Sequence, residues 1–134
     1  IAVDNSEWIV FDDPTPDDRY AIGVDVAAGV NRDYSVIFVI SKMTYQPVCI
    51  YHSNTITPVN LAEIIIEISG QYNDALALVE SNNYGNVVIN ELRHQGFRRF
   101  WVDEQGKDWN TTLKSKTYMF ENLKELIREG YIYK

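Results

Sequence analysis

The chain has 134 residues, a length that suits one domain able to bury a sizeable core. Its 46% hydrophobic and 23% charged residues are typical of a globular protein, and no apolar run approaches the ~20 residues needed to cross a bilayer. The net charge of −7 argues against a free-standing nucleic-acid binder, because such domains usually carry a basic patch. Nucleic-acid binding stays open for two reasons. Carboxylates gathered at a metal site would explain part of the negative charge, and another domain could supply the positively charged surface that binds nucleic acid.

The single cysteine, Cys49, excludes an internal disulfide framework and a zinc site built from several cysteines. We expect it to be a small buried residue within a strand, in a protein of the reducing cytoplasm. The first five residues lack the basic start and apolar core of a signal peptide, and the chain does not begin with methionine. We therefore expect it to be part of a longer protein.

The first half of the chain is dominated by short apolar runs. A short edge strand at 8–11 is followed by a polar, proline-rich turn, in which we expect Asp12, Asp13, Asp17 and Asp18 to be solvated. Three strands with short connections then predict an antiparallel meander: Tyr20–Val26, Tyr34–Ile40 and Val48–Ser53.

Helical signals begin at Thr57, a candidate N-cap followed by Pro58 at the first helical position. This helix has one apolar stripe and is predicted to end at Gly70. The remaining elements are predicted in the order strand, helix, strand, helix: Leu76–Glu80, Tyr84 to Gly96, Arg99–Val102 and Thr112–Glu129.

Three antiparallel strands followed by alternating helices and strands is the element order of the ribonuclease H-like fold. The order predicts one α/β domain over 1–134, with a mixed five-stranded central sheet flanked by helices. In that architecture the strands 20–26 and 76–80 are parallel neighbours, about 4.8 Å apart. Their last residues would then lie at the same edge of the sheet.

Those two strands each end in a carboxylate, Asp25 and Glu80. Adjacent carboxylates repel each other unless a cation or a shared proton lies between them. Oxygen ligands suit Mg²⁺ or Mn²⁺, and two such ions roughly 4 Å apart can activate a water and stabilise a leaving oxygen. We expect Asp25 to bridge the ions and Glu80 to complete the ligands of one. Asp33, at the start of the next strand, is either a supporting residue or a plain turn aspartate.

Three motifs in order resemble the nuclease domain of phage large terminases. They are Gly23-Val-Asp25-Val-Ala-Ala-Gly29, Arg32-Asp33-Tyr34-Ser-Val36 and Val79-Glu80-Ser-Asn82-Asn-Tyr-Gly85, and the segments 7–16 and 116–133 are similar to that family as well. The resemblance implies a metal-dependent endonuclease that cuts concatemeric viral DNA by two-metal hydrolysis during genome packaging. It also implies that Asp25 and Glu80 are the first two catalytic acids, that Asn82 orients Glu80, and that Gly85 permits the turn into the following helix.

The same resemblance implies the surroundings of the domain. The substrate would be double-stranded DNA, and the whole protein would carry an N-terminal ATPase domain and work with the portal and the small terminase subunit. The expected location is the host cytoplasm, on the viral prohead, with no membrane contact and a monomeric isolated domain. The family has a third catalytic aspartate beyond the position of Lys134, so we expect an incomplete metal site and weak or absent cleavage by this chain.

The cations in the second half of the chain predict a DNA-contacting face, with Lys116 as the first candidate and Lys114 and Arg99 beside it. A solvated surface is the alternative, and His52 and His94 are expected to pack or face solvent. Three other functions stay open: a Holliday-junction-resolvase-like nuclease, a non-catalytic docking module of the same fold, and an actin-like ATPase. The last is disfavoured because such ATPases need a second copy of the domain, which the chain does not show.

Overall fold

A mixed five-stranded sheet lies at the centre of the chain. The computed structural model describes residues 7–27, 34–44, 46–80 and 83–100. The sheet has the order β1-β4-β3-β2-β5. Its strands are β1 (Glu7–Val10), β2 (Tyr20–Asp25), β3 (Ser35–Ser41), β4 (Pro47–Ser53) and β5 (Leu76–Val79).

The pairing of the strands matches the predicted topology. β2, β3 and β4 form an antiparallel meander, and β1 pairs antiparallel with β4 at one edge. β5 pairs parallel with β2, so that Val24 lies opposite Val79. Because β2, β4 and β5 run in the same direction, their carboxyl ends lie at the same end of the sheet. β3 runs the opposite way and begins at that end.

Two helices follow the meander, α1 (Pro58–Gln71) and α2 (Asn83–His94). The predicted start of α1 is confirmed, since the Thr57 side chain accepts a hydrogen bond from the Asn60 backbone N–H at 3.3 Å. α1 extends one residue past Gly70. α2 ends at His94, two residues before the predicted stop Gly96. The φ of +89° at Gly96 is readily adopted only by glycine and lets the Phe97 N–H donate to the Leu92 carbonyl at 2.9 Å.

The core lies between the two helices and one face of the sheet. α1 and α2 bury Leu61, Ile65, Ile68, Val88 and Leu92 against alternating strand residues such as Ile22, Val24, Ile37, Val39, Ala77 and Val79. The other face is also buried at its centre, at Val36, Phe38 and Ile50. The strands are therefore apolar on both faces, as their continuous hydrophobic runs predicted.

The α/β fold class with a mixed five-stranded sheet is confirmed, but the strands are counted differently. The short edge strand β1 belongs to the sheet, while the predicted strand 99–102 is represented by one parallel bridge between Ala77 and Phe100. The rest of that strand and the predicted helix 112–129 lie outside the described residues. Among the described helices, none is both long and apolar enough to span a bilayer.

One prediction for the turn before β2, that all four of its aspartates are solvated, is wrong for Asp18. Asp12, Asp13 and Asp17 are exposed as expected, whereas Asp18 is only 8% exposed. Its carboxylate accepts hydrogen bonds from the Ser41 hydroxyl and from the backbone N–H groups of Arg19 and Met43. Asp18 therefore ties the start of β2 to the turn after β3.

Candidate metal centre

Asp25 is held at the end of β2 by the packing of its two neighbours. Val24 and Val26 are buried in the helix-side core, so strand alternation turns the Asp25 side chain to the opposite face. Beyond it, the Ala27 N–H donates to the Ser35 hydroxyl at 2.9 Å, which fixes the exit of β2 against the start of β3. Asp25 itself is 5% exposed. A carboxylate this deeply buried is costly unless it is paired or binds a metal.

Glu80 directly follows β5 and continues its parallel pairing with β2. The Glu80 N–H donates to the Val24 carbonyl at 3.3 Å, one position beyond the Val24–Val79 pair. This register sets Glu80 beside Asp25 on the same face, with their Cα atoms about 4.8 Å apart. Since Glu80 is only half-buried, the pair is open to solvent from one side.

The donor set of this pair fits a hard divalent cation. Two carboxylates on adjacent strands supply oxygen ligands, and they repel each other in the absence of a positive charge. Mg²⁺ is commonly held by one or two carboxylates, with waters and substrate phosphate oxygens completing its octahedron. Asp25 and Glu80 are therefore able to hold such an ion, and its other ligands would come from elsewhere.

His52 lies in the same transverse row of the sheet, two strands away from Asp25. Val36 separates it from Asp25, being opposite Asp25 on one side and opposite His52 on the other. Two strand spacings amount to about 10 Å. His52 is buried and its ring contacts that of Tyr34 at 5.0 Å, which agrees with the predicted packing role. Within the described residues, no group of three or more His, Cys, Asp and Glu side chains is placed to bind a metal.

The other predicted site residues are placed differently. Gly85 is buried inside the first turn of α2, so it belongs to the helix rather than to the turn before it. Arg99 lies at the opposite end of the sheet from the carboxylates, where its Nε donates to the Asp74 carbonyl at 3.0 Å. Four predicted residues lie outside the described residues: Asp33, Asn82, Lys114 and Lys116.

Two residues were missed by reasoning from sequence: Ser35 beside the carboxylate pair, and Lys42 at the opposite end of the sheet. Ser35 fixes the chain just after Asp25, and a serine opening a strand carries no distinctive signal. Lys42 follows β3 and lies beside Arg19, because the register pairs Tyr20 with Ser41 one residue earlier. The predicted meander already paired the two strands, so extending the β2–β3 pairing by one residue beyond Tyr20 and Ser41 would have placed Lys42 beside Arg19.

The chain matches the family model described as the terminase RNaseH-like domain over residues 22–134. It is 32% identical to the large terminase subunit of Thermus virus P23-45 over 88 residues, which cover 66% of this chain and 18% of that protein. The chain thus spans less than a fifth of the length of that relative.

Solved structures of similar proteins include the large terminase nuclease of thermophilic phage G20c. Its magnesium-bound form has a TM-score of 0.67 and 26% identity, covering 92% of this chain and 61% of that one. The values are the same for the cobalt-bound form. The zinc-bound form has a TM-score of 0.66 and 26% identity, covering 92% of this chain and 67% of that one.

Proposed function

The chain belongs to the terminase RNaseH-like domain family, and on that premise we propose that it is a metal-dependent endonuclease domain of a phage large terminase. One observation carries the proposal: the register of β2 and β5 sets Asp25 and Glu80 side by side at one edge of the sheet. The related nuclease, whose structures contain bound magnesium, cobalt or zinc, supports a divalent ion as the cofactor.

The proposed reaction is two-metal hydrolysis of a DNA phosphodiester. When bound, Mg²⁺ or Mn²⁺ would lower the pKa of an attacking water and stabilise the leaving oxygen. Asp25 is the proposed bridging ligand, because the core packing of Val24 and Val26 fixes its position. Glu80, being half-buried, would hold one ion at the open side, where a phosphate can approach. Asp33 and Asn82 are proposed as supporting residues.

The proposed biological setting is the packaging of concatemeric viral DNA in the host cytoplasm. In the whole large subunit, the domain would act beside an N-terminal ATPase domain and with the portal and the small terminase subunit. The curated relative is a large terminase subunit, which supports this setting. Double-stranded DNA is the proposed substrate.

Cleavage of supercoiled plasmid tests the proposal. Since weak or absent cleavage is expected of this chain alone, the assay uses the whole large subunit, and we expect nicking that requires Mn²⁺ or Mg²⁺ and stops with a chelator. Loss of a residue that only hydrogen-bonds to a metal ligand already costs about 10–100-fold. Asp25→Asn should therefore lower the rate by at least about 100-fold. Asp17→Asn removes an equal charge at an exposed position and should leave the rate unchanged. Nicking that survives the chelator or the Asp25→Asn substitution would contradict the proposal.

A further inference from the structure

The end of the sheet away from the carboxylates carries a concentration of positive charge. The described ranges contain eleven Asp and Glu residues but five Lys and Arg residues. Three of these five, Arg19, Lys42 and Arg99, line a single open cavity of about 310 Å³, together with Asn73 and Asp74. We call this cavity the basic pocket. Such clustering on a chain of net charge −7 is the electrostatic pattern of an anion site.

The backbone brings these cations together from three separate segments. Arg19 precedes β2 and Lys42 follows β3, and the Lys42 N–H donates to the Arg19 carbonyl at 2.8 Å. On the other side, the Ala77 N–H donates to the Arg99 carbonyl at 2.7 Å, which places Arg99 beside the start of β5. The positions of all three residues are therefore set by strand pairing.

The charged ends of these side chains are available to a ligand. All three residues are exposed. In the part of the chain that the structure describes, Arg19 and Lys42 use only backbone atoms in their hydrogen bonds, and Arg99 uses only Nε of its guanidinium. Asp74 is the one acidic residue among those that line the pocket. A guanidinium group is well suited to a phosphate because its N–H donors match two phosphate oxygens at once.

We propose that the basic pocket binds a backbone phosphate of the DNA that the carboxylate pair cuts. This inference rests on the proposed function and adds a second point of contact to it. β2 runs from the pocket at Tyr20 to the carboxylate at Asp25, five residues or about 17 Å. Phosphates along one DNA strand advance about 3.4 Å per base pair. The bound phosphate would lie about five base pairs from the cut and would fix the direction of the duplex across the sheet.

The phosphate contact at the basic pocket is tested by DNA binding at a series of salt concentrations. Binding of a fluorescein-labelled 30-base-pair duplex is measured by fluorescence anisotropy, without divalent metal. Each phosphate contact contributes about 0.9 to the slope of log affinity against log salt concentration. Arg19→Ala and Arg99→Ala should each reduce the slope by about 0.9. Arg19→Lys and Arg99→Lys keep the positive charge and should have slopes close to that of the wild type. Because both residues are exposed, the variants should keep the wild-type melting temperature.

Arg98→Ala is the matched control. Arg98 is the exposed neighbour of Arg99, but its guanidinium donates to the carbonyls of Arg93 and Phe97, outside the pocket. A slope that falls as much in Arg98→Ala as in Arg99→Ala, or absence of wild-type binding at 50 mM salt, would overturn the assignment. An acidic peptide that binds the wild type but not Arg19→Ala, with the DNA slope unchanged, would assign the pocket to an acidic protein instead. Since the assay contains no metal, its failure is separate from a failure of metal-dependent cleavage.

Discussion

Asp18→Ala should destabilise the chain strongly, although Asp18 lies in a segment that reads as an exposed loop. The Asp18 carboxylate is 8% exposed and accepts three hydrogen bonds. Two come from the backbone N–H groups of Arg19 at 2.7 Å and Met43 at 3.2 Å, and the third comes from the Ser41 hydroxyl. The same hydroxyl accepts bonds from the N–H groups of Met43 and Thr44. The substitution thus removes the group that organises the whole turn after β3.

The size of the effect follows from these contacts. A hydrogen bond to a charged group contributes about 1.5–3 kcal/mol, and bonds within one network do not add fully. We therefore expect Asp18→Ala to lower the free energy of unfolding by about 3 kcal/mol. For a chain of this length that corresponds to a fall of about 10 °C in melting temperature.

Urea unfolding followed by circular dichroism measures this loss, and Asp17→Ala is the control. Asp17 is the exposed neighbour of Asp18 and should change the stability by no more than about 0.5 kcal/mol. Equal losses in the two variants would refute the reasoning, because they would show that the Asp18 hydrogen bonds add nothing to the stability of the fold.

A further prediction concerns the buried thiol of Cys49. Burial raises the pKa of the Cys49 thiol above its ordinary value of 9.0, so the unfolded chain ionises first and stability should fall as pH rises past about 9. Cys49→Val should lose less stability between pH 8 and pH 10 in urea melts, and an identical loss in both proteins would contradict this.

Local signals predicted the parts of the fold that local physics determines. The continuous apolar run around Val24 predicted a strand buried on both faces, and Thr57 and Gly96 marked helix ends by side-chain capping and positive φ. The element order then placed Asp25 and Glu80 on neighbouring parallel strands. The structure agrees on each of these points, because strand pairing and helix capping depend on residues close in sequence or on the order of elements.

Interactions between residues distant in sequence escaped prediction. Asp18 lies among prolines and other aspartates, and its hydrogen-bond partner Ser41 is 23 residues away. Arg99 was grouped with other cations of the second half of the chain, yet the hydrogen bond from the Ala77 N–H to its carbonyl places it at the far end of the sheet, where it lines the same cavity as Lys42. In both cases the decisive information is strand register, which composition and spacing do not contain.

The most direct test of the metal site at Asp25 and Glu80 is a Mn²⁺ titration. Binding is measured as the decrease in the electron paramagnetic resonance signal of free Mn²⁺. The chain, Asp25→Asn and Asp17→Asn would be titrated side by side. We expect saturable binding by the chain and by Asp17→Asn, and an affinity at least about tenfold weaker for Asp25→Asn, since even the partners of metal ligands contribute about 10–100-fold. Equal affinity in all three proteins would contradict the assignment of the metal to Asp25 and Glu80.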